Sequence, residues 1–237
     1  MKSILITGAS SGIGRATALE FLNAGWQVGL IARRADRLKE LEAAHDGAMA
    51  LPADVTDPPA MKAAFARFVA QAGRLDVLFN NAGIFGPAGT IDDIPLDGFD
   101  QVISVNIRGM FIAAQLAFAQ MRNQSPQGGR IINNGSLSAH NPRPESICYT
   151  TSKHAITGMT RSLSLDGRPF DIACGQIDIG NAKSELVESL RNVQPGMQVM
   201  NAENAARSVL HMAEMPPEAN VQFMTVMATK MPYIGRG

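Results

Sequence analysis

The sequence has little of several features that would point to particular classes of protein. Among 237 residues it contains two cysteines, and aromatic side chains make up 5%. The two cysteines, Cys148 and Cys174, are too few for a disulfide framework, and no Cys/His spacing suits zinc. We therefore interpret both as free thiols and predict no metal site.

The chain also lacks an excess of charge and a long apolar run. Its 21 basic and 21 acidic side chains cancel, without the basic and aromatic clusters typical of proteins that bind nucleic acid. No segment approaches the ~20 apolar residues of a membrane span or the layout of a signal peptide. We expect a cytoplasmic protein with a small-molecule partner, and neither nucleic acid nor membrane.

Strand-like and helix-like segments alternate along the whole chain, which is typical of an α/β fold with helices on both faces of a parallel sheet. The length and the 46% hydrophobic content suit one domain, 1–237. The pattern predicts strands near 3–7, 27–32, 47–51, 75–80, 130–135, 170–176 and 221–227. It predicts helices near 12–24, 35–44, 58–72, 97–123, 149–166 and 203–214.

A glycine-rich turn follows the first strand. Residues 7–14 read Thr-Gly-Ala-Ser-Ser-Gly-Ile-Gly, and the apolar pattern then becomes helical. At such a strand-to-helix junction glycines let the backbone approach a pyrophosphate, while the helix N-terminus faces the anion. The turn predicts a dinucleotide site with contacts from Gly8, Ser10, Ser11, Gly12, Ile13 and Gly14.

Tyr149 and Lys153 form a second motif, with Ser136 thirteen residues upstream of the tyrosine. Side chains at i and i+4 share one face of a helix, and a nearby ammonium lowers the pKa of a phenol. The phenol then serves as an acid or base near neutral pH, and the Ser136 hydroxyl could hold a carbonyl oxygen against it. Tyr-x-x-x-Lys alone is common by chance, but together with the glycine-rich turn it predicts a hydride-transfer site.

Five motifs agree in order and spacing with those of the compact, single-domain short-chain dehydrogenases/reductases, which the chain resembles over nearly its whole length. They are the turn 7–14, the run 80–83, Asn106, Ser136 and the Tyr149/Lys153 pair. The resemblance implies a Rossmann-like, doubly wound parallel seven-stranded sheet in the order 3-2-1-4-5-6-7. It also implies a carbonyl–alcohol oxidoreductase in which Tyr149 exchanges the proton, Lys153 holds the nicotinamide ribose and Asn106 supports a proton relay.

The same resemblance implies further cofactor contacts. These are Asp54 and Val55 near the adenine, Asn81, Ala82 and Gly83 after the fourth strand, and Gly180, Ala182 and Ser184 on the nicotinamide side. Asp54 has an alternative use as a helix cap, and Asn106 as a polar passenger in a helix. Ile179 stands where the family has proline, and Asp178 is an unusual charge for its position.

The end of the second strand bears on cofactor choice. Ala32 occupies the position where a carboxylate would bind the adenosine ribose of NAD. Arg33 and Arg34, which follow, could instead pair with the 2′-phosphate of NADP. The alternative is a solvated arginine pair, and Ser11 is not the basic residue that some NADP-dependent members carry. We predict NADP, with NAD less favoured.

Three segments remain. His140, Asn141 and Arg143 lie between Ser136 and Tyr149, with prolines on both sides of the arginine, and we predict that they border the substrate pocket. The alternative is that Arg143 faces solvent and His140 caps the loop. Residues 178–201 are interpreted as a substrate lid with a short helix near 184–191. The C-terminal tail, 228–237, has no assignment.

Helices 97–123 and 149–166 carry more apolar side chains than one covered face requires, which predicts a homo-oligomer, dimer or tetramer. The residues concerned are Phe111, Ile112, Leu116, Phe118, Ile156 and Met159. Two rival functions stay open: an epimerase or dehydratase with a bound nicotinamide, and a redox-sensing NADP(H)-binding protein without turnover. An intact Ser-Tyr-Lys set argues against the sensor, which has no need of proton chemistry.

Overall fold

A computed structural model describes residues 1–184 and 198–233. Its centre is a seven-stranded sheet in the order β3-β2-β1-β4-β5-β6-β7, in which every neighbouring pair is parallel. The strands are β1 (Ser3–Thr7), β2 (Gln27–Ala32), β3 (Ala48–Pro52), β4 (Val77–Asn80), β5 (Gly129–Asn134), β6 (Ile172–Gly180) and β7 (Phe223–Met227). The predicted doubly wound α/β fold and its strand order are confirmed.

Helices cover both faces of this sheet. They are α1 (Gly12–Asn23), α2 (Ala35–Ala44), α3 (Pro58–Ala72), α4 (Leu96–Val102), α5 (Met110–Asn123), α6 (Ile147–Gly167) and α7 (Ala202–Glu214). A π-helical segment, Ile103–Gly109, joins α4 to α5. The helix predicted over 97–123 is therefore continuous but includes a π-helical segment, and the strand predicted over 170–176 runs from Ile172 to Gly180.

Successive side chains of β1 point alternately into two hydrophobic cores, one on each face of the sheet. Ile4 and Ile6 pack on one face of the sheet with Phe21 of α1 and Val209 of α7. Leu5 points to the other face, into a core that α3 and α5 complete. All three strand residues are fully buried, as expected of a strand covered on both sides. The result is a rigid central sheet whose strand ends can position a site.

The continuous helical stretch Leu96–Asn123 is long and apolar enough to cross a membrane, with a mean hydropathy of 1.5 over its most apolar window. This differs from the expectation that no segment of the chain approaches the apolar length of a membrane span. Within the fold this stretch supplies Ile112, Ala113 and Ala117 to the core beneath the sheet. Its apolar character is thus largely accounted for by a core helix of an α/β protein.

Candidate active site

The carboxyl ends of the parallel strands open into one cleft with a volume of about 420 Å³. Such a position, at one edge of an open parallel sheet, is where α/β proteins bind ligands. The cleft is lined by the glycine-rich turn, the ends of β2 and β4, the segment after β5, the first turns of α6 and the end of β6. Most of the predicted site residues therefore lie together.

The glycine-rich turn has the geometry of a phosphate cradle. Gly8 and Gly12 adopt φ angles of 70° and 52°, which side chains other than glycine rarely accept. A Cβ on Gly14 would collide with the carbonyl oxygen of Gly8 and the amide of Asn81. The first turn of α1 thus lies directly against the end of β1, with its N-terminus toward the cleft. The turn fits a dinucleotide pyrophosphate.

Side-chain amides join the ends of three strands behind the cleft. Asn81 donates from Nδ2 to the carbonyl oxygen of Thr7 at 2.9 Å and accepts at Oδ1 from Asn134 Nδ2 at 2.8 Å. The backbone N–H groups of Asn81 and Ala82 both donate to Thr7 Oγ1. Asn81 therefore has a structural role and also lines the open cleft, together with Ala82 and Gly83.

The two arginines after β2 line the cleft in different ways. Arg34 donates from Nε to Ser10 Oγ at 3.1 Å and from Nη2 to Ser11 Oγ at 2.6 Å, so it is tied to the glycine-rich turn. Arg33 is exposed, and Ala32 beside it provides no carboxylate. Two guanidinium groups thus lie at the end of β2, on the lining of the cleft.

Asp54 after β3 lines the same end of the cleft. Its Oδ1 accepts from the backbone N–H and the hydroxyl of Thr56, at 2.9 and 2.8 Å. Burial raises the pKa of this carboxyl, but the bonds from Thr56 and the charge of Arg33 outweigh burial and hold the pKa below its ordinary value. Asp54 is therefore ionised at neutral pH and forms a local turn, while Val55 beside it lines the cleft.

Helix α6 brings Tyr149 and Lys153 to the floor of the cleft. The ammonium nitrogen of Lys153 lies 5.3 Å from the centroid of the Tyr149 ring and donates to the carbonyl oxygen of Asn134 at 2.7 Å. Ser136, the second residue after β5, accepts a bond from Ser138 N at its Oγ and interacts with the phenol. Three of the four predicted catalytic side chains, Ser136, Tyr149 and Lys153, are thus adjacent.

The pKa values around Tyr149 differ from the simple expectation that Lys153 lowers the pKa of the phenol. Burial raises the pKa of Tyr149 above its ordinary value, against smaller lowering effects from Ser136 and Arg143. Burial also lowers the pKa of Lys153 to about 8. The expected lowering is not found, because desolvation of the phenol outweighs the lowering effects of Ser136 and Arg143. The phenol is protonated at neutral pH.

Asn106 lies in the π-helical segment and is fully buried. Its Oδ1 accepts from Ile84 N at 2.8 Å, and its Nδ2 donates to Ile84 O at 2.8 Å and to Ser152 Oγ at 3.0 Å. Asn106 is therefore not a polar passenger. It joins the loop after β4 to the residue that precedes Lys153, and none of these three hydrogen bonds is to Lys153 itself.

Asp178 near the end of β6 was noticed in the sequence only as an unusual charge. Its side chain is 1% exposed. Oδ1 accepts from Ser136 N at 2.9 Å and from Gln176 Nε2 at 2.8 Å, and Oδ2 lies 2.8 Å from His140 Nε2. Its charge raises the pKa values of both Tyr149 and Lys153. The carboxylate is thus part of the site.

Three residues of the loop between Ser136 and Tyr149 were predicted to border the cleft, and two of them do so. Asn141 and Arg143 line it. His140 does not line the cleft, because its ring is turned to Asp178. The alternative in which His140 fixes the loop therefore describes its contacts better than a direct substrate role.

The side of the cleft predicted to face the nicotinamide is formed by the end of β6 and the residues that follow it. Gly180, Ala182 and Ser184 line it, and Ser184 lies so close to Gly12 that a Cβ on that glycine would contact it. Ile179, where proline was expected, still belongs to β6. The predicted lid begins with the last residues of that strand, and its predicted helix falls almost entirely on 185–197, outside the described residues. Within the unassigned tail, Met231 and Tyr233 line the cleft.

Comparison with known proteins gives concordant results. A model of the short chain dehydrogenase family matches residues 2–195. The 3beta-hydroxysteroid dehydrogenase of Mediterraneibacter gnavus is 33% identical over 79% of this chain and 68% of its own. The 2-(R)-hydroxypropyl-CoM dehydrogenase of Xanthobacter autotrophicus is 35% identical over 78% of this chain and 76% of its own.

Similarity to solved structures indicates the same family. The solved structure of ElxO with NADP bound superposes with a TM-score of 0.86 at 25% identity, over 95% of this chain and 97% of that one. The family match covers the glycine-rich turn, Asn106, Ser136, Tyr149 and Lys153 together. The chain therefore belongs to the short-chain dehydrogenase family of oxidoreductases.

Proposed function

We propose that the protein is an NADP(H)-dependent oxidoreductase that interconverts a carbonyl and an alcohol, with Tyr149 as the proton donor and acceptor. The observation that carries the proposal is the adjacency of Ser136, Tyr149 and Lys153 on the floor of a cleft that begins at a phosphate cradle. We further propose that it acts in the cytoplasm on a small molecule.

The cofactor would lie along the cleft. Gly8, Ser10, Ser11, Gly12, Ile13 and Gly14 would hold its pyrophosphate. Asp54 and Val55 would contact the adenine, Asn81, Ala82 and Gly83 the riboses, and Gly180, Ala182 and Ser184 the nicotinamide side. When bound, the nicotinamide supplies the hydride to a carbonyl or accepts it from an alcohol.

The chain's own residues handle the proton. In reduction, the Tyr149 phenol donates its proton to the carbonyl oxygen as that oxygen gains negative charge. A raised pKa keeps the phenol protonated at neutral pH, which suits this direction. Ser136 would hold the same oxygen by its hydroxyl. Lys153 would stabilise the resulting phenolate and donate to the ribose, and Asn106 would hold the helix turn that supports this relay.

Preference for NADP rests on the end of β2. Ala32 removes the carboxylate that would accept from a ribose hydroxyl of NAD and would repel a 2′-phosphate. Arg33 is exposed at the rim, where its guanidinium is available to a phosphate, and Arg34 joins the rim to the glycine-rich turn. The ElxO structure contains NADP, which is consistent with this choice for a protein of the same fold.

A redox-sensing protein without turnover is the rival within the same fold. The decisive experiment is NADPH oxidation with a panel of ketones, aldehydes and keto acids, for the wild type and for Tyr149→Phe. We expect turnover in the wild type and a loss of at least a hundredfold in the variant, with NADPH affinity unchanged within a few-fold. NADPH binding without turnover of any compound would favour the sensor, and full activity of Tyr149→Phe would exclude the tyrosine as the acid.

A further inference from the structure

The substrate end of the cleft contains one guanidinium that the proposed cofactor contacts do not use. Arg143 lines the cleft, and its Cζ lies 5.5 Å from the centroid of the Phe85 ring and 6.0 Å from that of Tyr149. The two rings are themselves packed edge to face, with centroids 4.7 Å apart. The positive group is thus held against the catalytic tyrosine, and not extended into solvent.

Arg143 has one buried N–H group that forms no hydrogen bond with any described residue. Its Nε is buried and has no hydrogen-bond partner within residues 1–184 and 198–233. No carboxylate of those described residues forms a salt bridge with it. A buried N–H of a charged group without a partner is unfavourable, which favours a ligand that accepts from it.

The loop that carries Arg143 is fixed at several points. Ser146 Oγ donates to the carbonyl oxygen of Arg143 at 2.8 Å, and Gly89 N donates to that of Glu145 at 3.2 Å. Prolines at 142 and 144 restrict the backbone on both sides. At the start of the loop, His140 bonds to buried Asp178. Arg143 is therefore presented in a defined position, which reduces the entropy lost on binding.

Charge near the tyrosine is also unbalanced. Lys153 and Arg143 contribute two positive charges, and Asp178 contributes one negative charge that His140 further offsets when protonated. An additional negative charge would bring these groups close to neutrality. A carboxylate suits the position, because a planar guanidinium can donate two parallel bonds to its two oxygens.

We propose that Arg143 binds a carboxylate of the substrate, so that the enzyme acts on keto acids and the corresponding hydroxy acids. This inference rests on the proposed carbonyl–alcohol activity and names its substrate class. Arg143 is the residue that distinguishes an acid from a neutral compound of the same skeleton. Phe85 supports the guanidinium by a cation–π contact, and the exposed amide of Asn141 lines the same end of the cleft.

The test compares kcat/KM for matched compounds: 2-, 3- and 4-keto acids, each with its methyl ester and primary amide, with NADPH as reductant. The variants are Arg143→Met, which keeps length without charge, and Arg143→Lys, which keeps charge without the planar fork. Arg122→Met is the control, because Arg122 also lies over an aromatic ring, that of Phe170, remote from the cleft. Arg143 also lowers the pKa of Tyr149, but that effect acts on acid and amide alike and cancels in their ratio.

We expect the wild type to prefer at least one acid over its amide, and Arg143→Met to lower that ratio at least tenfold. Arg143→Lys should lower the ratio less, and Arg122→Met should leave it unchanged. An unchanged ratio in Arg143→Met would overturn the inference while leaving the proposed function intact, as would turnover of neutral compounds alone.

If no compound of either class is reduced, a binding measurement tests the inference instead. The same acids are titrated calorimetrically into Tyr149→Phe enzyme saturated with NADPH, and into Tyr149→Phe/Arg143→Met. Saturable binding of an acid that the second substitution weakens at least tenfold supports the carboxylate site. Absence of saturable binding for every acid overturns it, and absence of NADPH binding itself would overturn the proposed function.

Discussion

Asp178 and His140 form a buried-to-surface pair in which Oδ2 of the carboxylate lies 2.8 Å from Nε2 of a ring that is 41% exposed. The other oxygen of Asp178 accepts from the backbone N–H of Ser136. Ser136 and the loop that contains Arg143 are thus held by the same carboxylate. A Cβ on Gly135 would collide with that oxygen, so the approach of Asp178 depends on a glycine at this position.

Replacement of Asp178 by Asn is expected to change the pH dependence of the enzyme. The carboxylate raises the pKa of Lys153, which burial lowers to about 8. Without this charge Lys153 loses its proton at a lower pH, so the alkaline fall in kcat/KM for carbonyl reduction should begin at a lower pH than in the wild type. A pH–rate profile for both proteins measures the difference.

The variants His140→Gln and His154→Gln test whether the loop depends on the contact between His140 and Asp178. His154 is also exposed, and its ring forms a hydrogen bond with the carbonyl oxygen of Thr150 in the same helix. We expect His140→Gln to increase KM by loosening the loop, and His154→Gln to have no effect. An alkaline limb that is identical in Asp178→Asn and the wild type would contradict the electrostatic role of Asp178.

Lys153 should make stability depend on pH in a defined direction. Its pKa is 10.5 in an ordinary environment and about 8 in the folded protein. Above pH ~8 the unfolded chain binds more protons at this group than the folded protein does, so the free energy of unfolding rises with pH. Relative to Lys153→Met, the wild type should gain about 2 kcal/mol between pH 8 and 9.5, since each pKa unit corresponds to about 1.4 kcal/mol.

Urea unfolding of both proteins across this range, without cofactor, measures that gain. Below pH ~7 the group is protonated in both states, and the difference between the two proteins should be constant. A difference that stays constant up to pH 9.5, or that falls, would show that the lysine keeps its ordinary pKa in the fold.

Cofactor preference should depend on Arg33 more selectively than on Arg34. We expect NADPH to bind at least tenfold more tightly than NADH, a difference of about 1.4 kcal/mol. Arg33→Ala should weaken NADPH alone, because this exposed side chain would meet only the 2′-phosphate. Arg34→Ala should weaken both cofactors, because Arg34 also bonds to Ser10 and Ser11 of the glycine-rich turn.

Fluorescence titrations with the two cofactors measure these affinities. Lys39→Ala is the control, since Lys39 is an exposed cation on α2, the helix that follows the two arginines. Equal affinity of the wild type for NADH and NADPH would contradict the assignment, as would an equal effect of Arg33→Ala on both.

Exposed apolar side chains on α5 and α6, among them Phe111 and Leu165, favour a homo-oligomer. Phe111 is 54% and Leu165 59% exposed. Of the six residues first considered for this role, Ile112 and Ile156 are buried in the monomer and do not contribute. We expect light scattering at micromolar concentration to give a multiple of the 25.3 kDa monomer mass. Phe111→Asp should reduce that mass, whereas a monomeric wild type would contradict the prediction.

The sequence predicted the strands and the adjacency of Tyr149 and Lys153 because these depend on local patterns, namely apolar runs and a fixed i, i+4 spacing. The order of the strands followed from the resemblance to the family. It did not predict the contact between His140 and Asp178, which are 38 residues apart and meet only through the placement of β5, β6 and the loop. The raised pKa of Tyr149 also depends on burial, which no short motif contains.

The π-helical segment Ile103–Gly109 limits which insertions and deletions the chain can tolerate. A π turn accommodates one extra residue within an otherwise α-helical stretch. Because successive residues of a helix are about 100° apart, deletion of that one residue would rotate Asn106 away from Ile84 while the core face of α5 kept its place. The contact between the loop beside the cleft and the helix therefore depends on the number of residues in the π turn. Insertions and deletions here are expected to be more disruptive than substitutions of single side chains.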